Sequence, residues 1–274
     1  MRRSRVIRKI SKITVPTETT KSRIQKVGRT HKTVSVKRVN NPVKINKSSK
    51  TIEHTKHHNY GKVNPIWKGE TVYLIGGGPS LRGFEWNKLK GKKTIAINKA
   101  VEFYPNADVL YWTDGRVYTW LKKDIDLFKG LKYTLRPNSK NNITTLKRGK
   151  KIGIDWSSDS LAHNNNSGGA AINLAIHLGA KRIILLGYDL GNNGKDSHFH
   201  NGYPVNSTGE NIYKNQFMPA FEAIAADIKG KGIQIFNACP KSKLNTFKKI
   251  TVEESLSFRW SAYISHKLPL FTFQ

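Results

Sequence analysis

Between residues 71 and 236, short apolar runs alternate with longer stretches whose apolar residues recur at helical spacing. Thr71–Ile75, Lys93–Ile97, Asp108–Trp112, Lys132–Leu135, Arg182–Leu186 and Ile233–Phe236 read as buried strands. The clearest helix spans Gly168–Leu178, where Ala171, Ile172, Leu174, Ala175, Ile176 and Leu178 cover much of the circumference. A second helix is expected from about Tyr213 to Lys229, with Phe217, Phe221, Ile224, Ala225 and Ile228 facing inward. Strands alternating with helices predict an α/β domain, a mostly parallel sheet with helices on both faces.

That domain is expected over residues 67–250, and charge separates it from what precedes it. The chain of 274 residues carries a net charge of +30. Residues 1–68 hold 19 Lys and Arg against two acids, Glu18 and Glu53, so +17 of that charge sits in a quarter of the chain. Residues 1–60 have too little apolar surface to offset the entropy of ordering. We therefore read 1–66 as a disordered basic arm, suited to nucleic acid, an anionic glycan or a membrane surface. Residues 251–274 form a C-terminal aromatic segment of open role. Two polar loops, Asn138–Ser160 (with a short strand expected at Lys151–Ile154) and Gly191–Asn211, are long enough to carry function.

Cys239 is the chain's single cysteine, which leaves no disulfide framework and no cysteine-based zinc site. No run approaches 18 apolar residues, so no membrane-spanning helix is expected. The basic opening has no continuous apolar stretch after it, as a signal peptide would need. Its Arg-rich character, with Val6, Ile10 and Ile13 at helical spacing, leaves a transit peptide as a rival reading. A cytoplasmic location fits these features.

Polar groups gather at the predicted strand ends. The first strand stops at Gly76-Gly77-Gly78-Pro79-Ser80, where glycines let the backbone approach a ligand and N–H groups can hold a phosphate. Asn98, Asp114, Asp189 and Asn237 follow four other strands, and Ser167-Gly168 opens the first long helix. In open α/β sheets ligands sit at the carboxyl ends of strands, so these residues converge on one Rossmann-like, nucleotide-binding crevice.

Gly76-Gly-Gly-Pro-Ser-Leu81, Ala96-Ile-Asn98, Asn106-Ala-Asp108 through Thr113-Asp114, Asn166-Ser-Gly168 and Ile184-Leu-Leu-Gly-Tyr-Asp-Leu190 together resemble the MptE-like family. That family is named for an archaeal 6-hydroxymethylpterin diphosphokinase and includes bacterial and tailed-phage proteins. The pattern is also similar to bacterial sialyltransferases that carry a Gly-Asn-Gly-Pro-Ser loop and use a CMP-sugar, with Ala238-Cys-Pro-Lys-Ser242 resembling their Cys-Pro-Asn-Ser. The resemblance covers about residues 70–247. It implies that Gly77, Gly78, Pro79 and Ser80 line nucleotide phosphates beside Asn98, with Ser167 and Gly168 on the nucleotide or donor. The chain has Gly77 where the sialyltransferases have the middle Asn, and only Thr113-Asp-Gly115 where the diphosphokinase has a richer acidic Mg²⁺ motif.

Three functions stay open: a transferase moving a glycosyl group from a nucleotide-sugar, an ATP-dependent diphosphokinase requiring Mg²⁺, and a non-catalytic nucleotide-binding module associated with a polyanion. For a transferase, His198 and His200 in Asp196-Ser-His-Phe-His-Asn-Gly202 are the candidate bases, with Asp189 beside them. As a metal pair they would need a third ligand, for which Asp189 or Asp196 are nearest in sequence. The arm reading is tested by deleting residues 1–60. Binding to DNA should weaken, and its log–log salt slope should flatten by about 0.9 for each phosphate that is no longer neutralised. An unchanged slope would remove the electrostatic role.

Overall fold

The computed structural model describes residues 60–137, 140, 142–191, 198–200 and 209–258. The arm reading and most of the C-terminal segment therefore lie outside the described residues, as do Asp196 and most of the loop 191–211.

Ten strands are described: β1 (Thr71–Ile75), β2 (Lys93–Ile97), β3 (Val109–Trp112), β4 (Leu131–Thr134), β5 (Thr144–Thr145), β6 (Lys147–Arg148), β7 (Ser160–Leu161), β8 (Arg182–Leu186), β9 (Gln234–Asn237) and β10 (Lys248–Lys249). Eight of them form one sheet in the order β10-β9-β8-β1-β2-β3-β4-β5, every pairing parallel; β6 and β7 pair separately. From β1 the chain steps outward through β5, then returns to pair β8 with β1 in the register Thr71↔Arg182 to Ile75↔Leu186. This reversal of strand order opens a crevice at the carboxyl end of β1.

Side chains alternate across the sheet and fill two cores. Val72, Leu74, Ile95, Ile183 and Leu185 pack on α4 (Ser167–His177) and on the helix ending at Ile228. Tyr73, Ile75, Ala96, Leu110 and Ile184 face the other way. That second layer contains α1 (Ala100–Phe103), α2 (Gly115–Trp120) and α3 (Lys122–Leu127). The doubly wound α/β fold read from the apolar runs is the fold observed. It extends to both sides of residues 67–250: Val63 is buried and donates its N–H to Ser158 O at 2.8 Å, and α7 (Val252–Leu256), closed by a Thr251–Glu254 capping box, packs on the second core.

The expected helix at Tyr213–Lys229 is three pieces, α5 (Glu210–Ile212), a π-helical stretch at Tyr213–Phe217 and α6 (Met218–Ile228). The helix nonetheless runs continuously from Glu210 to Ile228, and Pro219 explains the π-helical stretch, because it has no N–H to offer the carbonyl four residues back and the ladder widens there. Phe221, Ile224 and Ile228 are buried as expected.

The strand expected at Lys151–Ile154 is absent. Gly153 takes a φ of 86°, and the backbone bonds of this segment go to side chains: Gly153 N–H to Asn164 Oδ1 at 2.8 Å, Ile154 N–H to Asp227 Oδ2 at 2.7 Å. Asn173, fully buried in α4, accepts from the N–H groups of Asp155 and Ala162 at 2.9 Å each and donates to Asp155 O at 3.0 Å. Asparagine side chains thus replace sheet bonds and pin the loop 149–166 to α4. Asn173→Leu would leave two buried N–H groups unpaired. It should cost about 2–6 kcal/mol in urea denaturation, at about 1–3 kcal/mol for each orphaned group. A loss below about 1 kcal/mol would mean that the loop does not depend on this network.

Candidate functional site

A cleft of about 1080 Å³ lies along the carboxyl edge of the sheet. It is lined by the residues that follow β1, β2, β3, β4 and β8, by the start of α4 and by the π-helical stretch. Two backbones meet at its centre. Gly76 N–H donates to Leu186 O and Gly78 N–H to Gly187 O, both at 2.8 Å. A Cβ on Gly76 or Gly78 would stand 2.7 Å from Gly187 O, so side chains are excluded at both positions. Gly77 lies between them with its N–H unpaired among the described residues and lines the cleft.

The loop is fastened from outside. Asp189 accepts from Ser80 N–H at 3.2 Å and from Ser80 Oγ at 2.7 Å. Burial pushes the Asp189 carboxyl above its usual range, and the bonds from Ser80 pull it back. Ser80 Oγ and Tyr188 N–H both reach Cys239 Sγ at 3.3 Å. Burial, reinforced by Asp189, raises that thiol to about 11, so it is un-ionised at neutral pH.

The start of α4 supplies the second donor set. The Asn166 side chain caps the helix by accepting from Gly169 N–H. The N–H groups of Ser167 and Gly168 stay unpaired among the described residues and line the cleft at the positive end of the helix dipole. Gly168 is fixed by Tyr188, whose hydroxyl donates to Gly168 O at 3.1 Å and whose ring stands 2.9 Å from where a Cβ would be. Asn98 ends β2 in a left-handed conformation, φ 52°, and its Oδ1 is buried without a partner among the described residues.

His198 reaches the cleft against the glycine loop. Phe199 N–H donates to Gly77 O at 3.0 Å, and a Cβ on Gly77 would meet His198 Cδ2 at 3.1 Å. The rings of His198 and His200 stack with centroids 5.2 Å apart, but His200 is buried against Phe103 and does not line the cleft. Burial lowers both imidazoles; His200, further opposed by His198 and Lys99, falls to about 4. Both are neutral at physiological pH.

Of the other residues singled out from sequence, the cleft brings together Gly76, Gly77, Gly78, Asn98, Asp114, Ser167, Gly168 and Asp189. Pro79 is buried behind the loop, and Ser80 acts on Asp189 from the solvent side. Asn237 is fully buried, with its amide reaching Leu244 O at 3.4 Å, and is no part of the lining. Asp114 caps α2 and is gripped by Arg116, which holds its carboxyl below the usual range. Sequence reasoning passed over Arg116, Arg136, Arg148 and His163, which also line the cleft. Arg136 follows directly on the apolar run ending at Leu135, so the strand-end logic that singled out Asn98 applies to it as well.

The crowding around the loop separates its glycines experimentally. Gly78→Ala should cost about 1–3 kcal/mol in urea denaturation, because its methyl meets fixed backbone. Gly77→Ala meets only the edge of the His198 ring and should spare stability while weakening nucleotide binding. Equal stability losses with unchanged binding would reduce the loop to a tight turn.

No protein-family model matches the chain, and no curated protein does. The MptE-like resemblance is therefore not shown by a family match. The fold is similar to the sialyltransferase CstII from Campylobacter jejuni in complex with cytidine-5'-monophosphate: 17% identity, 67% of this chain and 86% of the other covered, TM-score 0.43. It is similar to CstII with a trisaccharide acceptor and CMP at 16% identity, 66% and 86% coverage and a TM-score of 0.40. An alpha-2,3-sialyltransferase from Campylobacter jejuni in apo form follows at 14% identity, 72% and 88% coverage and a TM-score of 0.40. Likeness of this degree says nothing about activity, which the geometry of the cleft has to carry.

Proposed function

We propose that the chain transfers a glycosyl group from a nucleotide-activated sugar to an acceptor hydroxyl or amine. One observation carries this reading. Three backbone N–H groups unpaired among the described residues, those of Gly77, Ser167 and Gly168, share a cleft with a neutral imidazole, His198. The N–H groups and the α4 dipole suit the phosphate that links the nucleoside to the sugar. His198 takes the acceptor's proton as its oxygen or nitrogen bonds to the anomeric carbon. The sugar–phosphate bond breaks, and its electron pair stays on the phosphate oxygen facing the N–H groups, where the growing charge is stabilised. Asp189 acts through Ser80, as the group that positions the loop.

The diphosphokinase alternative depends on Mg²⁺, and the two described carboxylates of the cleft are both engaged by other groups. Asp114 is engaged by Arg116 and Asp189 by Ser80. Among the described residues no three His, Cys, Asp or Glu side chains come together as a metal site. In the glycosyl-transfer reading the charge of the departing phosphate is met by the backbone donors of the glycine loop and α4, without a metal ion.

Release of nucleotide from a panel of UDP-, GDP-, ADP- and CMP-sugars, with and without EDTA, tests the reading. We expect EDTA-insensitive turnover with one donor class. ATP consumption that stops with EDTA would establish the diphosphokinase instead, and binding with no turnover a passive module. His198→Gln should lower turnover by about 10²–10⁴ and leave nucleotide affinity intact. Burial keeps the His198 pKa below its ordinary 6.5. The base is therefore neutral throughout the neutral range, and kcat/KM should stay flat there and fall only as pH drops below that value. The acid limb should vanish in His198→Gln; a limb that persists assigns the base elsewhere.

A further inference from the structure

Glycosyl transfer by the glycine loop, α4 and His198 leaves one half of the cleft without a task. Arg116 and Arg136 follow the ends of β3 and β4, and Arg148 ends β6; all three are exposed and line the cleft. They gather about Thr113. Arg136 Nε donates to Thr113 O at 3.1 Å, Arg116 sits on the adjacent Asp114, and Arg148 acts electrostatically on Tyr111, whose hydroxyl accepts from Thr113 Oγ1 at 3.2 Å. Arg148 also donates to His163 Nδ1 at 3.2 Å. The described acids lining the cleft are Asp114 and Asp189, and only Asp114 lies on this side, so three guanidinium groups face one carboxylate.

Sheet geometry separates this half from the donor phosphate. β1 and β4 are three strands apart, about 14 Å at ~4.8 Å per strand. A phosphate resting on Gly77 is too far from the Arg136 end for both to hold the same group.

We propose that the arginine half binds a phosphate group of the acceptor, so that the acceptor substrate is a phosphorylated molecule. The inference rests on the transferase reading and assigns its second substrate. A guanidinium presents paired donors that match phosphate oxygens; with Arg116 held by Asp114, Arg136 and Arg148 remain, and two such cations suit a phosphate dianion better than a singly charged carboxylate. The chain's net charge of +30 favours approach of such an anion. The acceptor's phosphate stays intact; only its hydroxyl or amine reacts.

The test is calorimetry on the full chain, saturated with whichever nucleotide of the panel binds best, using glucose 6-phosphate, gluconate and glucose as probes. Glucose 6-phosphate should bind, with gluconate at least tenfold weaker and glucose undetected. Arg136→Gln and Arg148→Gln should each weaken that binding by about tenfold to a hundredfold, as expected for losing a charged hydrogen bond, while nucleotide affinity stays within about twofold. Arg136→Lys should recover only part of the loss. Loss of nucleotide affinity in these variants would overturn the proposal by giving the arginines to the donor. Equal binding of gluconate, or no binding of glucose 6-phosphate, would overturn it as well. If glucose 6-phosphate binds as expected but no nucleotide-sugar turns over, the subsite stands and the transferase reading fails.

Discussion

Gly78 N–H donates to Gly187 O at 2.8 Å, and neither Gly76 nor Gly78 has room for a side chain beside that carbonyl. The contact ties the turn after β1 to the turn after β8, two segments brought together only by the parallel pairing of their strands. Everything opposite the glycine loop depends on this closeness. Asp189 can reach Ser80 because its backbone starts here, and Tyr188 can brace Gly168 because it leaves β8 on the other side. A loop held at both ends by backbone bonds and outside by a carboxylate has few ways to move. Its middle N–H is presented to the cleft without reorganisation, the condition under which a hydrogen-bond donor contributes most to charge stabilisation.

The polar part of the site relies on a different device. Apart from the short β6–β7 pairing and a few backbone bonds, the loop 149–166 relies on side chains: Asn164, Asn173 and Asp227 take up its N–H groups at Gly153, Ile154, Asp155 and Ala162. Buried amides accept and donate at once, so one side chain can satisfy two strands of loop and leave no charge in the core. This scaffold sets Asn165, Asn166 and His163 at the rim of the cleft.

The main strands were legible because each holds a short cluster of apolar residues, and β1, β2 and β8 begin and end where the runs read from sequence do; β4 and β9 lie one residue off, their clusters being interrupted or bounded by polar residues. The glycines, Asn98, Asp114 and Ser167 were legible because they stand next to such runs, and proximity to a strand end is local information. Asn237 satisfies the same rule yet is buried, since β10 pairs alongside it and its amide turns to Leu244 O. Asn173 looks like an ordinary helix residue until the loop it bonds is in place. The arginines are masked by number: among 48 Lys and Arg residues, nothing local distinguishes three that face a cleft. The π-helical stretch depends on Pro219, visible in sequence, but the widened turn follows only if flanking packing keeps the helix continuous.

The strand order also governs how the chain is made. β1 pairs with β2 soon after both emerge from the ribosome, but its other edge is claimed by β8, whose Leu186 lies roughly 110 residues beyond Ile75. At about 5–20 residues per second, synthesis of that stretch takes roughly 5–20 s. For that interval β1, with four of its five residues buried in the finished fold, has an open edge, able to pair with a neighbouring nascent chain. The crevice that serves as the site is created in the last step, when β8 closes that edge. A ribosome stalled before residue 186 would therefore hold a half-sheet that is both unable to bind and prone to associate.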